Sequence, residues 1–172
     1  MYATRIAWTI AKAASRALVE PQLADPCERF SLPMRVWALE ADMTYVNHAS
    51  YLVYFEAARW DLGLRCGFGN VLRTRRCLPT ISKQLVQYRR PMRRGDTFDV
   101  VSRLLAVDER WWHFEQNVMR GDEVCTKSWA KVVMRDQNGA CSPQDILQLA
   151  GYRGDLPNDF RTRDELVREL AT

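Results

Sequence analysis

Four runs of alternating apolar and polar residues dominate the middle of the chain. They span residues 78–90, 96–107, 110–120 and 123–135. Alternation with a period of two is typical of strands with one buried face. The short polar segments 91–95, 108–109 and 121–122 separate the runs, and connections of this length favour antiparallel neighbours. The pattern therefore predicts four consecutive antiparallel strands.

A helical period precedes these strands. Apolar residues at spacings of three and four predict a long helix over about 48–64, with Asn47 as its N-cap. A further strand is predicted over 30–39, and the Gly- and Arg-rich stretch between helix and strands is predicted to be irregular. The order favours an α+β fold, in which a five-stranded antiparallel sheet can wrap around the long central helix.

Further helices are predicted at both ends of the chain. Residues 4–19 form an amphipathic pattern, with Arg5, Lys12 and Arg16 opposite Ile6, Ile10, Ala13 and Ala17. The basic face is compatible with peripheral membrane contact through residues 5–19, whereas docking of the apolar stripe on the same domain or a partner subunit is favoured. Short helices are predicted after Ser142 and over 162–170. We divide the chain into an N-terminal helix and linker (1–29), a main domain (30–151) and a C-terminal helical extension (152–172).

Composition narrows the classes of function. The net charge of +4 does not indicate a nucleic-acid partner, and the bias of 21 arginines to 4 lysines is also typical of a GC-rich genome. The five scattered cysteines include no Cys-x-x-Cys pair, and there are only two histidines, so no metal site is expected. No cofactor motif is present either. Unpaired cysteines favour a reducing, cytoplasmic compartment.

The polar stretch 41–51, which leads into the long helix, is the candidate site. A helix N-terminus presents unpaired backbone N–H groups and a partial positive charge, which suit a developing oxyanion. A carboxylate just upstream, Asp42, is placed to attack a carbonyl held there or to activate water. On composition alone, however, an aspartate in such a loop is more often a turn former or a cap.

Two sets of motifs resemble the hotdog-fold acyl-CoA thioesterases of the 4-hydroxybenzoyl-CoA thioesterase-like superfamily. The first set runs from Asp42 to Leu52 and continues from Tyr54 to Arg59. The second set comprises 88–96, 100–105, 108–110 and 141–143, and it is similar to the branch that includes thioesterase superfamily member six. The resemblance covers about residues 30–151.

This resemblance implies hydrolysis of an acyl-CoA thioester in a homodimer or homotetramer with active sites between subunits, without metal or cofactor. It places Asp42 as the catalytic carboxylate, and the helix start at His48 as the donor to the thioester carbonyl. Asn47 and Tyr45 match positions that shape the loop and pocket.

Further residues are candidates for substrate contact, for binding the phosphates of CoA or for catalysis. Tyr51 is a candidate substrate contact. Arg89 and Arg90 are candidates for the phosphates of CoA, although a solvated turn is the simpler interpretation. Glu56 is the alternative catalytic carboxylate, although an ion pair with Arg59 explains it more simply.

Two departures from the family pattern leave other functions open. The interval from Asp42 to His48 is one residue shorter than in related branches of the family. Tyr45 stands where many members carry histidine. A non-catalytic acyl-thioester-binding protein is therefore the main alternative to a thioesterase. A hotdog hydratase or dehydratase is less favoured.

Overall fold

The computed structural model describes residues 2–19 and 25–172. Its helices are α1 (Tyr2–Val19), α2 (His48–Arg65), α3 (Phe68–Arg75), α4 (Pro143–Ala150) and α5 (Phe160–Ala171), with a 3-10 turn at Ala38–Glu40. Its strands are β1 (Phe30–Arg35), β2 (Ala41–Asp42), β3 (Tyr45–Val46), β4 (Leu78–Tyr88), β5 (Thr97–Asp108), β6 (Trp111–Arg120), β7 (Glu123–Asp136) and β8 (Gly139–Ala140).

The large sheet has the strand order β1-β5-β6-β7-β4, and every neighbouring pair is antiparallel. The predicted five strands are thus confirmed, with β8 as a two-residue addition beside β7. Both β1 and β4 are edge strands in the described chain. Because the sheet curls around α2, the predicted hotdog architecture is confirmed.

The core forms where α2 lies in the hollow of the sheet. Tyr54, Phe55, Ala57 and Ala58 of this helix are completely buried. They pack with Phe98, Val100 and Val118 of the sheet among others. Burial on several sides of the helix explains why its apolar pattern is broader than that of a surface helix.

The opposite face of the sheet is covered by α5. Leu166 of α5 is buried against Leu105 and Trp129, while Leu104 belongs to the cluster on the concave side. A register shift between Leu104 and Ala106 lies at this change of face. Such a bulge inserts a residue into the strand, so consecutive apolar residues reach both cores.

The sequence expectations differ from the structure at three places. The segment predicted to be irregular contains α3, whose start is fixed by Gly67 in a left-handed conformation (φ 87°). The polar stretch before α2 forms the hairpin β2–β3 rather than a plain loop. Strand β1 ends at Arg35, earlier than predicted, because the chain turns into the 3-10 segment.

The predicted N-terminal helix is confirmed as α1, which lies beside α2. Ile6 packs against the cluster around α2, so part of the apolar stripe docks on its own domain. Trp8 is largely exposed. The side chains of Arg5, Ala13, Arg16 and Ala17 lie outside the described part of the structure. Membrane contact through this helix stays a prediction.

We expect Gly67→Ala to lower the free energy of unfolding by at least about 2 kcal/mol, because left-handed backbone strain and overpacking add. A Cβ at residue 67 would lie 2.2 Å from the carbonyl oxygen of Ala150. Gly69→Ala, inside α3, is the matched control, since its Cβ meets only Leu64 at 3.9 Å. Helix propensity predicts no loss for the control. Equal effects of both substitutions in urea unfolding would contradict this account.

Candidate functional site

The hairpin β2–β3 carries Asp42 to the entrance of α2. Asp42 pairs with Tyr45 across a two-residue turn, and both side chains are exposed. Met43 at the tip is fully exposed and has a positive φ of 52°. Backbone strain of this kind is concentrated at functional sites.

A buried carboxylate, Glu40, attaches this hairpin to the helix. Its Oε2 accepts hydrogen bonds from the Trp37 backbone N–H (2.7 Å) and from the Tyr54 hydroxyl (3.0 Å). Its backbone carbonyl accepts from the Asn47 N–H and from the Ser50 hydroxyl. Glu40 therefore fixes the position of Asp42 relative to the first turns of α2. Glu40 was not among the residues predicted from the sequence.

The start of α2 is capped as predicted. The Asn47 side-chain oxygen accepts hydrogen bonds from the Ser50 N–H (3.0 Å) and the Ser50 hydroxyl (3.1 Å). The backbone N–H groups of His48 and Ala49 have no intrahelical acceptor at this position of a helix. They and the helix dipole can polarise a carbonyl oxygen. Asn47 thus shapes the helix start, and its catalytic role stays a prediction.

Aromatic rings surround this helix start. The His48 ring meets the Tyr88 ring edge-on at 4.9 Å between centroids. The Tyr51 ring lies 5.2 Å from the Tyr88 ring. His48 is exposed, whereas Tyr51 is buried. Burial raises the pKa of Tyr51, and a hydrogen bond with the Met92 backbone opposes this shift. Burial also raises the pKa of Tyr88. Both phenols therefore stay protonated near neutral pH.

The two arginines assigned to CoA phosphates both have acidic partners. Arg89 forms a 2.9 Å ion pair with Glu169 of α5, which also contacts Lys127 at 2.8 Å. Arg90 lies 3.3 Å from Glu123. Arg89 and Arg90 directly follow Tyr88 in the chain, and Arg89 reaches α5 on the face of the sheet opposite α2. An incoming phosphate would compete with these carboxylates.

An apolar cavity of about 340 Å³ opens at the other end of α2. It lies between α2, α3, the start of β4 and the neighbouring strands β6 and β7. Its walls include Trp60, Phe68, Leu72, Trp112, Phe114 and Met134. Glu56 and Arg59 are the charged residues at its boundary. This cavity is suited to an apolar group and not to a solvated one.

A buried polar network lies between this cavity and the middle of the sheet. Arg59 Nη1 donates a hydrogen bond to the Gln116 side-chain oxygen. The Gln116 amide donates in turn to the Phe55 carbonyl (2.9 Å) and the Ser102 hydroxyl (3.1 Å). Gln116 is completely buried, so these bonds fix the rotation of α2 against the sheet. The predicted ion pair of Glu56 with Arg59 stays a prediction.

The predicted residues thus fall into two groups, one at the N-terminus of α2 and one at its middle. Asp42, Tyr45, His48 and Tyr51 lie together near its N-terminus, with Arg89 and Arg90 beyond Tyr88. Glu56 lies at the cavity, about 12 Å further along the helix from His48 at a rise of ~1.5 Å per residue. Within one chain, the carboxylate at the cavity is Glu56, and Asp42 does not line it.

The described residues contain neither a membrane-crossing helix nor a metal-binding cluster. None of the helices described here combines the length and apolarity that crossing a membrane requires. Among residues 2–19 and 25–172, no three His, Cys, Asp or Glu side chains are grouped so that they would hold a metal ion.

Replacing the buried Glu40 by glutamine tests the anchoring of the hairpin. Glu40→Gln removes the charge from both hydrogen bonds, so we expect the free energy of unfolding to fall by about 1–3 kcal/mol. Glu109→Gln, in an exposed turn, is the control and is expected to change it by less than ~0.5 kcal/mol. Urea unfolding measures both. Equal losses in the free energy of unfolding for Glu40→Gln and Glu109→Gln would contradict this role of Glu40.

Comparison with known proteins adds independent support for the fold and family. A model of the thioesterase-like superfamily matches residues 36–150. Protein THEM6 from Danio rerio is 28% identical over 131 residues, which are 75% of this chain and 63% of the relative. The chain therefore spans less than two thirds of the length of that relative.

Solved structures share the architecture. The probable thioesterase from Bartonella henselae superposes with a TM-score of 0.62 at 18% identity, covering 67% of this chain and 98% of that one. The protein SAV2348 from Staphylococcus aureus, solved in complex with CoA, gives 0.60 at 14% identity, covering 77% and 92%. The family match includes the hairpin, α2 and all the strands from β4 to β8. The chain therefore belongs to the thioesterase-like superfamily.

Proposed function

We propose that the protein hydrolyses an acyl-CoA thioester to the free acid and CoA, with Asp42 as the catalytic carboxylate. The observation that carries the proposal is the hairpin that fixes this exposed carboxylate beside the open N-terminus of α2. The first-turn N–H groups at His48 and Ala49 would polarise the thioester carbonyl as negative charge develops on its oxygen.

Two routes use the same carboxylate. As nucleophile, Asp42 attacks the carbonyl carbon, CoA leaves as thiolate, and water then hydrolyses the mixed anhydride. As general base, Asp42 takes a proton from water, and the resulting hydroxide displaces CoA directly. In both routes the thiolate takes up a proton and the acid is released. Neither route needs a metal or a cofactor.

The acyl group requires an apolar site, and the cavity at the far end of α2 fits this need. Strand β4 connects the two ends, because its start borders the cavity and its last residue, Tyr88, contacts His48. Residues 78–83 of β4 are exposed, and in the described chain the strand pairs only with β7. An exposed strand edge offers unpaired N–H and C=O groups to another strand.

A second copy of the chain would complete the site through this edge. If two β4 edges pair antiparallel about a two-fold axis, the start of one strand lies beside the end of the other. Asp42 and His48 of one subunit then face the cavity of its partner. We therefore propose a homodimer with two shared sites as the minimal assembly, and a homotetramer would contain two such dimers.

CoA as the carrier is supported by the fold neighbour SAV2348, which was solved with CoA. The exposed Arg89 and Arg90 are proposed to meet its phosphates by exchanging partners with Glu169 and Glu123. Guanidinium groups bind phosphate and carboxylate in the same bidentate geometry, so a phosphate can take the place of these carboxylate partners. Tyr45 and Tyr51 are proposed to border the thioester.

The two candidate carboxylates are distinguished by Asp42→Asn and Glu56→Gln. Loss of a catalytic acid or base lowers rates by about 10²–10⁴-fold, so we expect Asp42→Asn to lower kcat by at least ~100-fold. Glu56→Gln is expected to lower it less than ~10-fold. Thiol release from short, medium, long and aromatic acyl-CoAs measures both.

The reverse order of effects would assign the catalysis to Glu56. If the wild type binds acyl-CoA but releases no thiol, the protein is an acyl-thioester-binding protein. Hydration of a 2-enoyl-CoA without thiol release would instead indicate a hydratase.

The shared site is tested by subunit complementation. Gly63 of α2 borders the cavity, and its Cβ position leaves ordinary contacts of 3.7 Å with Phe68, so Gly63→Leu should block the cavity without breaking the helix. Each heterodimer of Asp42→Asn with Gly63→Leu has one intact site. Random co-assembly in co-expressed protein should restore about a quarter of wild-type activity.

Gly63→Ala is the control for the helix, and it should retain activity. Sites built from one chain alone would give no rescue, because every chain carries one defect. Absence of dimers in sedimentation at the assay concentration would contradict the shared site directly.

A further inference from the structure

Helix α3 forms one wall of the apolar cavity. It joins the end of α2 to the start of β4, and it buries Val71 completely. Phe68 and Leu72, one turn apart, point into the cavity. This wall is separate from the sheet and from α2, which supply the remaining sides.

Two aromatic rings in the cavity wall contact each other. The Phe68 ring meets Trp112 of β6 edge-on, with 5.5 Å between the ring centroids. Trp112 is almost fully buried and belongs to the same apolar cluster as Val132 and Met134, which also line the cavity. A ligand in the cavity therefore lies against a wall that α3 and β6 build together.

The structure holds α3 at both of its ends. Gly67 lies so close to α4 that any Cβ there would overlap the Ala150 carbonyl. Cys77, just beyond α3, has its buried sulfur 2.8 Å from that of Cys141, and Arg75 lies 3.8 Å from Asp145 of α4. Because both ends are attached to the segment around α4, α3 presents a fixed wall and not a mobile lid.

The volume of the cavity limits what it can take. A 150 Å³ apolar cavity accommodates benzene, about 25 Å³ per carbon, so 340 Å³ corresponds to about 14 carbons. A much shorter chain leaves wall atoms without contacts, and a longer one has to displace the wall. The lining is apolar apart from Glu56 and Arg59 at the boundary and Thr80 of β4.

We propose that α3 sets the chain length of the substrate, and that the cavity selects apolar acyl groups of about 8–14 carbons. The terminal methyl group lies against Phe68 and Leu72. This inference rests on the proposed function, because it identifies the cavity as the acyl site.

Binding of non-hydrolysable acyl-CoA thioethers with 4–18 carbons tests the limit by calorimetry, independently of hydrolysis. Affinity should rise by about fourfold per added carbon while each carbon is buried, and then level off or fall beyond about 14 carbons. Phe68→Ala should move this limit to chains about two to four carbons longer. Leu72→Phe should move it to shorter chains.

Leu149→Ala is the matched control, because Leu149 is exposed on α4 and does not line the cavity. It should leave the length profile unchanged. The proposal is overturned if Phe68→Ala and Leu72→Phe leave the wild-type profile in place while both proteins unfold cooperatively, or if wild-type binding is independent of chain length. A normal length profile with inactive wild-type protein would contradict the proposed hydrolysis but leave the length limit standing.

Discussion

The fold depends on enclosing α2 within a curled sheet. Ala57 and Ala58 are completely buried, and their small side chains let the strands approach the helix closely. Tyr54 and Phe55 fill the wider spaces beside them, and Tyr54 also reaches the Glu40 carboxylate. The Gln116 network fixes the helix rotation from the sheet side. The positions of the hairpin and of the cavity both follow from this one helix, because the hairpin ends at its N-terminus and the cavity lies beside its C-terminal half.

The sequence predicted those parts of the fold that depend on periodicity or on a single local interaction. The strands β5, β6 and β7 end within about a residue of their predicted bounds, and Asn47 caps α2 as expected. Helix α3 was missed because its start requires the left-handed Gly67 and its stability comes from packing on α4, which no local pattern reveals. Glu40 was missed for a related reason. A buried carboxylate is recognised by its donors, and Trp37 and Tyr54 lie on different elements.

The candidate site was predicted in its composition and only partly in its geometry. The motifs indicated Asp42 and the helix start, and the structure places both in one hairpin–helix unit. The motifs carry no information on the empty space between α2, α3 and β4, because a cavity arises from side chains distant in sequence. The distance between Asp42 and the cavity is therefore visible only in the folded chain. Strand β4 runs between these two regions, because its start borders the cavity and Tyr88 at its end contacts His48.

The exposed edge of β4 also has a consequence for how the chain behaves before it finds a partner. An open edge can accept any extended segment, so it is a potential starting point for aggregation. Pro79 removes one backbone donor, Lys83 adds a charge, and a register shift between Ile81 and Lys83 interrupts the regular edge. Such features disfavour indiscriminate strand addition while leaving the later part of β4 regular. A newly made chain would thus be protected against aggregation by features of the same strand that is proposed as the dimer interface.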